Sequence, residues 1–219
     1  MRDATGKAAP SNDVSRNWQR GKGAQMQPTQ LDNQAVNQTL GPTLETERLI
    51  LRPLDIEADF EAVCETYADA ATMRYLGGNV MDRAQTWRSM AMMIGHHMVR
   101  GYSFLSVIGK STGQWVGRVG PWCPEGWPTP EVGWTIHPAH TRKGFAKEAG
   151  RACMNYVRDD LGWESVCHVI VEGNLGSERT AEALGSTLLY RLDGGIPGVT
   201  TEPCHVYGQD FKREGITRP

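Results

Sequence analysis

Nowhere in the 219 residues do 18 apolar residues run together, so no membrane-spanning helix is expected, and no apolar signal-peptide core is present. The five cysteines (Cys64, Cys123, Cys153, Cys167, Cys204) include no C-x-x-C pair. That excludes a disulfide frame or a cysteine zinc site as the organising principle and suits reduced thiols in the cytoplasm. His96 and His97 are adjacent. On a helix they would point about 100° apart and could not chelate as an i,i+4 pair would, so no metal site is expected. Two phosphate-binding signatures are missing as well. No G-x-G-x-x-G follows a strand, and Gly109-Lys110-Ser111 only approaches a P-loop, because Phe104 stands where its first glycine belongs. Lys110-Ser111-Thr112-Gly113 reads instead as a hairpin turn. The formal charge is only −2. A mildly acidic chain argues against nucleic-acid or membrane binding and fits a small cationic or amine-bearing substrate.

The length allows one sizeable domain plus a tail. Residues 1–43 are rich in Gln, Asn, Gly, Thr and Ser, carry Trp18 as their one aromatic, and show no apolar period. Such a segment cannot bury enough surface to offset its ordering entropy, so a disordered extension is expected. It is net +2, leaving −4 on the remainder. A flexible extension, a cloning remnant and an upstream start with Met26 as the true one all stay open.

From residue 44 the pattern becomes regular. Leu49–Leu54 reads as a strand closed by Pro53, and Asp55 caps a helix through about Tyr67, with Ile56, Phe60, Val63 and Cys64 on one stripe. After Gly77-Gly78-Asn79, Asp82 caps a second helix through about Val99, with Trp87, Met90, Met93, Ile94 and Met98 as a stripe. That stripe serves the core or lines a substrate cleft. Strands follow at 102–108, 115–122 and 131–137. The loop 121–130, with four prolines and two tryptophans, is a pinned surface loop or one wall of a pocket. A helix over 145–160, a strand over 165–171, a helix from 174 to 185 and strands at 190–193 and 204–211 complete the chain. His168 reads as a strand residue with a local partner. The alternation predicts an α/β fold with helices on the faces of a mixed sheet.

The densest chemistry lies in Glu131–Ala149, E-V-G-W-T-I-H-P-A-H-T-R-K-G-F-A-K-E-A. Val132, Trp134 and Ile136 share a parity, Pro138 ends the strand, and a helix starts at Phe145. Strand, basic turn and helix N-terminus form a ready anion site: free backbone N–H groups converge, the helix dipole adds roughly half a positive charge, and Gly144 permits close approach. Arg142 and Lys143 reinforce it. An ordinary strand–loop–helix join with a solvated basic pair has the same spacing. If the turn does bind, its ligand carries phosphate.

This stretch resembles motif A of the GNAT superfamily of acyl-CoA-dependent N-acyltransferases, Q/R-x-x-G-x-G/A. Gly144 and Ala146 fill its last two marked positions, while Thr141 stands at the first. N-L-G-S-E-R-T-A-E-A-L-G, from Asn174 to Gly185, is similar to the second motif, N-x-x-A/S-x-x-x-Y-x-x-x-G-F, with Asn174, Ser177 and Gly185 in register. It departs at Ala181, where many members carry an acid tyrosine, and at Ser186, where an aromatic is usual. T-E-R-L-I-L-R-P, at 46–53, is similar to the first strand of the branch that includes ribosomal-protein alanine acetyltransferases. The resemblance spans about 44–212, within a domain set at 44–214 and followed by a tail at 215–219.

The resemblance implies a mostly antiparallel mixed sheet, flanked by helices, whose central strands splay around acetyl-CoA. It implies that the pyrophosphate sits on Arg142, Lys143, Gly144, Phe145 and Ala146, that the pantetheine pairs near Thr135, Ile136 and His137, and that Asn174 positions cofactor amides or a water. An amine would attack directly in a ternary complex. Since an ammonium cannot attack, a base is needed, and Glu131 stands where members often place it. A strand-edge glutamate in a structural contact is the other reading. Ser177 becomes the candidate acid, or else a first-turn serine bonded to Asn174 or to backbone. The acceptor is a small-molecule amine or a protein N-terminus, and a homodimer is left open. Two rivals remain: a non-catalytic acyl-CoA-binding or sensor domain, and a nucleotide- or phosphosugar-using transferase built on the same turn.

Overall fold

The computed structural model describes residues 41–211. The tail assigned to 1–43 lies outside the described residues except for its last three positions, as does the tail at 215–219. The order is β1 (Leu44–Glu45), β2 (Leu49–Pro53), α1 (Ile56–Ala68), α2 (Ala70–Met73), α3 (Arg83–Arg100), β3 (Leu105–Gly109), β4 (Trp115–Trp122), β5 (Glu131–Ile136), α4 (Phe145–Asp159), β6 (Ser165–Val171), α5 (Leu175–Ala183), β7 (Thr187–Leu192) and β8 (Cys204–Asp210). The eight strands form one sheet in the order β1-β2-β3-β4-β5-β6-β8-β7. Every neighbouring pair is antiparallel except β5 with β6. The expected mixed, mostly antiparallel sheet flanked by helices is what forms.

The helix boundaries follow from their caps. Asp55 accepts the N–H groups of Glu57 and Ala58, and Asp82 forms a reciprocal capping box with Gln85. Gly101, at φ 80°, ends α3 in the left-handed conformation. Two helix details depart from the expected stripes. On α3, Met90 and Met93 are buried, but Trp87 and Met98 are exposed, and Thr86 and His96 turn inward instead. His96 is fully occupied: Nδ1 meets the Tyr102 carbonyl at 2.8 Å, Nε2 accepts the Cys123 N–H at 3.3 Å, and the ring stacks on Trp122. On α1, Val63, Thr66, Tyr67 and the charged Asp59 are the buried positions.

Strand alternation divides the interior between the two faces of the sheet. Leu49, Leu51, Leu105 and Val107 pack with Ala149, Cys153, Met154 and Val157 of α4. Phe104, Trp115 and Trp122 pack with Val63 and Tyr67 of α1 and Met90 and Met93 of α3. Asp59, only 1 % exposed, crosses the second core. Its carboxylate accepts Arg52 Nη1 and Nη2 at 2.9 and 2.6 Å, the Asp55 N–H at 2.9 Å and the Ser106 hydroxyl at 2.5 Å. Trp115 Nε1 in turn donates to Ser106 Oγ at 3.1 Å. Arg52 of the first full strand thus neutralises the one carboxylate buried beneath α1.

Arg52→Met leaves that carboxylate unpaired, and about 3 kcal/mol of stability is expected to be lost at pH 7. Urea denaturation measures it. Arg52→Met combined with Asp59→Asn should recover most of the loss, because the buried charge is then gone.

Candidate active site

The basic turn is built by backbone conformation more than by side-chain charge. Arg142 (φ 61°) and Gly144 (φ 79°) both adopt left-handed geometry, which swings the chain from the Pro138–His140 turn into α4. No side chain caps α4. Among the described residues, the N–H groups of residues 142 to 147 have no backbone acceptor, so they constitute the open donor end of the helix. Arg48 fixes the turn from outside. Its Nη1 donates to the Lys143 carbonyl at 3.1 Å, its Nε donates to Glu148 at 2.6 Å, and its guanidinium lies over the Phe145 ring. Burial works against the Glu148 charge, but hydrogen bonds from Thr46 and from both the backbone and side chain of Arg48 outweigh it and hold the carboxyl below its usual range. Lys143 Nζ donates to the Ala139 carbonyl at 2.9 Å and so braces the turn.

The splay lies between β5 and β6. The two strands share a single register pair, Glu131 with Cys167. Beyond it, side chains take over the ladder. Val169 N–H donates to Glu131 Oε2 at 2.9 Å, and His168 Nδ1–H donates to the Val132 carbonyl at 2.7 Å. Since Nδ1 carries the proton, Nε2 accepts the Ser186 hydroxyl at 3.0 Å. Burial lowers the His168 pKa to about 4, against the pull of the Val132 carbonyl. The imidazole is therefore a neutral brace, matching its reading as a strand residue with a local partner.

Glu131 is 5 % exposed. Burial raises its pKa to about 7, opposed by the Val169 N–H, the nearby Trp127 indole and the charge of Arg118. The Trp127 N–H does not complete a hydrogen bond with it. Of the apolar parity of β5 Val132 is fully buried, yet Glu131 and Thr135 on the other parity are more buried than Trp134 and Ile136. The strand is covered on both faces. Thr135 Oγ1 is buried without a partner.

Two cavities flank the splay. The first, about 600 Å³, is walled by Thr135, Ile136, Arg142, Gly144, Phe145, Ala146, Asn174 and Ser177. The second, about 380 Å³, lies among α1, α3 and the 121–130 loop and contains Glu131 and Arg118. A narrow space of about 60 Å³ between them touches Glu131, His168, Asn174 and Ser177. Tyr75, Leu76 and Trp134 are walls common to all three. Ser177 Oγ accepts the Trp134 indole N–H at 3.2 Å, which leaves its own O–H free to donate, and the Asn174 side chain caps α5 through Ser177 N–H. Eight of the expected cofactor and acid residues thus gather on one cleft. His137 and Lys143 stand outside its wall: His137 accepts the Ala139 N–H and approaches Glu65 at 3.4 Å. Sequence reasoning missed Tyr75, Arg118, the Arg48–Glu148 clamp and the His168 brace. Of the two readings of the 121–130 loop, a pinned surface loop or one wall of a pocket, the second agrees with Trp122 and Trp127 lining the cavity.

The two departures from the second motif have structural counterparts. Ala181 is fully buried against Ile170 and Tyr207, and Ser186 is buried between His168 and Gln209.

Residues 48–187 match the family described as the acetyltransferase (GNAT) domain. The uncharacterized N-acetyltransferase YoaA of Bacillus subtilis is 28% identical over 147 residues, covering 66% of this chain and 82% of its own. An acetyltransferase structure from Agrobacterium tumefaciens superposes with a TM-score of 0.67 at 29% identity, covering 78% of this chain and 95% of its own. RimL, a ribosomal L7/L12 alpha-N-protein acetyltransferase solved in complex with coenzyme A, shares the fold at 16% identity, with a TM-score of 0.63 and coverage of 77% and 98%. The chain belongs to the GNAT family and is an acetyltransferase.

Proposed function

We propose that the protein transfers an acetyl group from acetyl-CoA to a primary amine, with Glu131 as general base and Ser177 as general acid. The observation that carries this is the position of Glu131. It is a buried carboxylate reaching both the second cavity and the narrow space leading to the cleft, with its pKa raised by burial to about 7. The cleft suits the cofactor on its own chemistry. It combines uncapped helix N–H groups at 142–147, a left-handed Gly144 that keeps side chains away, and an unpartnered Thr135 hydroxyl. Arg142, Gly144, Phe145 and Ala146 would hold the pyrophosphate; the backbone of Thr135, Ile136 and His137 would hold the pantetheine, and Asn174 a cofactor amide or a water.

Acetyl-CoA supplies the activated acyl group, a thioester. Glu131 takes one proton from the ammonium, directly or through water, so that the nitrogen lone pair forms the new C–N bond as the C–S bond breaks, and the nitrogen then gives up its second proton to solvent. Ser177 Oγ–H, free to donate, delivers a proton to the sulfur and is reprotonated from solvent. Trp134 fixes the Ser177 oxygen. The amine is a small molecule or a protein N-terminus, the latter being the kind of acceptor named for RimL. Five free cysteines support a cytoplasmic setting.

Thiol release from acetyl-CoA over a panel of amines, from pH 5.5 to 9, tests the assignment. The wild type should show an acid limb in kcat/KM near pH 7 whatever the acceptor, since the carboxylate form accumulates as pH rises through that value. Glu131→Gln should remove this limb and lower the rate by roughly 100- to 10,000-fold while leaving acetyl-CoA affinity intact. A wild-type rate and profile in that variant would remove Glu131 from the base role.

Gly144→Glu places a carboxylate at the helix N-terminus. Titration calorimetry should show acetyl-CoA affinity reduced by roughly 100-fold or more, as expected when charge-assisted contacts are lost. Unchanged affinity would sink the anion-turn assignment.

A further inference from the structure

The second cavity contains hydrogen-bond donors with nothing to donate to. Arg118 enters from β4. Its Nε–H donates to the Tyr67 hydroxyl at 2.8 Å, and its guanidinium carbon lies 3.9 Å from the centre of the Phe104 ring. These contacts hold the planar fork in one orientation and leave Nη1 buried without a partner. Trp127 Nε1 is buried and unpartnered on the same cavity. Folding alone disfavours both, because each group has left water and gained no acceptor. Arginine cannot shed its proton to escape that cost. The pair is therefore organised for a group that only accepts, and the guanidinium charge selects an anion over a neutral carbonyl.

Glu131 shares this cavity, and both donors lie close enough to influence its ionisation. An ammonium at Glu131 and a carboxylate at Arg118 and Trp127 must then be near neighbours on one molecule. Most of the remaining wall is apolar, including Met73, Met92, Met93, Trp122 and Ile196, with Ser89, Glu125 and Thr200 as polar groups on it. The space, about 380 Å³, is the size of a small-molecule site. Val199 and Thr200, from the connection between β7 and β8, line the same cavity, and the Val199 carbonyl comes within 3.2 Å of where a side chain on Gly77 would begin. Two loops thus meet beside the cavity, and a carboxylate next to the reacting ammonium belongs to a free amino acid, not to the start of a chain.

We propose that the acceptor is a free α-amino acid with an apolar side chain, its carboxylate received by Arg118 and Trp127 while its amine lies at Glu131. This rests on the transferase reading above. The balanced step is the one already given: the ammonium nitrogen gains the acetyl carbon and loses two protons, one to Glu131 and one to solvent, and the sulfur leaves with a proton from Ser177. The product is an N-acetyl amino acid, so an apolar amino acid loses its positive charge and keeps its negative one.

Leucine, methionine and phenylalanine, each with its amide, its decarboxylated amine and a dipeptide it begins, provide the test. Thiol release should favour each free acid over its amide by roughly 30- to 100-fold in kcat/KM, the size of a lost hydrogen bond to a charged group. Arg118→Met should bring that ratio close to one. Because removing Arg118 also removes its stack on Phe104, Trp127→Phe is the second variant. It keeps an aromatic side chain there while removing the N–H, and should lower the ratio several-fold. Titration of each acid and amide into the CoA-saturated protein reads the same preference without turnover. Amides or dipeptides used as well as the acids, or a ratio unmoved in both variants, would overturn the proposal and leave the transferase reading standing. No thiol release from any amine would overturn the transferase reading instead, and the binding preference would then decide the carboxylate site alone.

Discussion

Val169 donates its backbone N–H to the Glu131 carboxylate across the one parallel junction of the sheet. Two strands that diverge after a single register pair would leave backbone groups unpaired in the interior, which a folded chain rarely tolerates. Glu131 satisfies one side of the gap and His168 the other, through the Val132 carbonyl. The opening is thereby held at a fixed width, with a cleft on one side and a cavity on the other. The carboxylate that spans it has been drawn out of water to do so, and that raises its pKa into the range useful for deprotonating an amine. In the proposed mechanism the bracing side chain is also the base.

The charges around this junction are sorted by position. Toward the cleft lie the uncapped donors at the start of α4, held by the clamp of Arg48 on Lys143 and Glu148. Toward the cavity, Arg118 and Trp127 present two unused donors beside an acid whose pKa burial raises. His168 stays neutral between them and adds no charge to either. Such a division suits a reaction joining an anionic cofactor to an amine, in which the only charge to be moved is a proton.

Local chemistry made most of the fold legible. Asp55, Asp82 and Gly101 mark helix ends through interactions with the next few residues, so a sequence window contains the whole cause. The basic turn is equally local. Short or exposed elements escaped: β1 has two residues and α2 four, and β7 begins at Thr187, before the expected Tyr190, because its exposed Leu188, Leu189 and Tyr190 show no alternation. The inward turn of His96 on α3 depends on Trp122 and the Tyr102 carbonyl, which periodicity cannot see. The site divides in the same way. Gly144, Asn174 and Ser177 carried motif spacing. Arg118, Tyr75 and the Arg48–Glu148 clamp act through partners tens of residues away, and nothing near them in sequence signals it.

The ionisation of Glu131 can be followed directly by labelling the glutamate side-chain carboxyls with carbon-13 and titrating the folded protein by NMR, with Glu131→Gln to assign the signal. A buried carboxylate bridging the splayed strands is predicted to titrate near pH 7, apart from the exposed glutamates. A Glu131 signal that moves with the others, at about 4.3, would mean that water reaches the carboxylate, contradicting both the brace and the base.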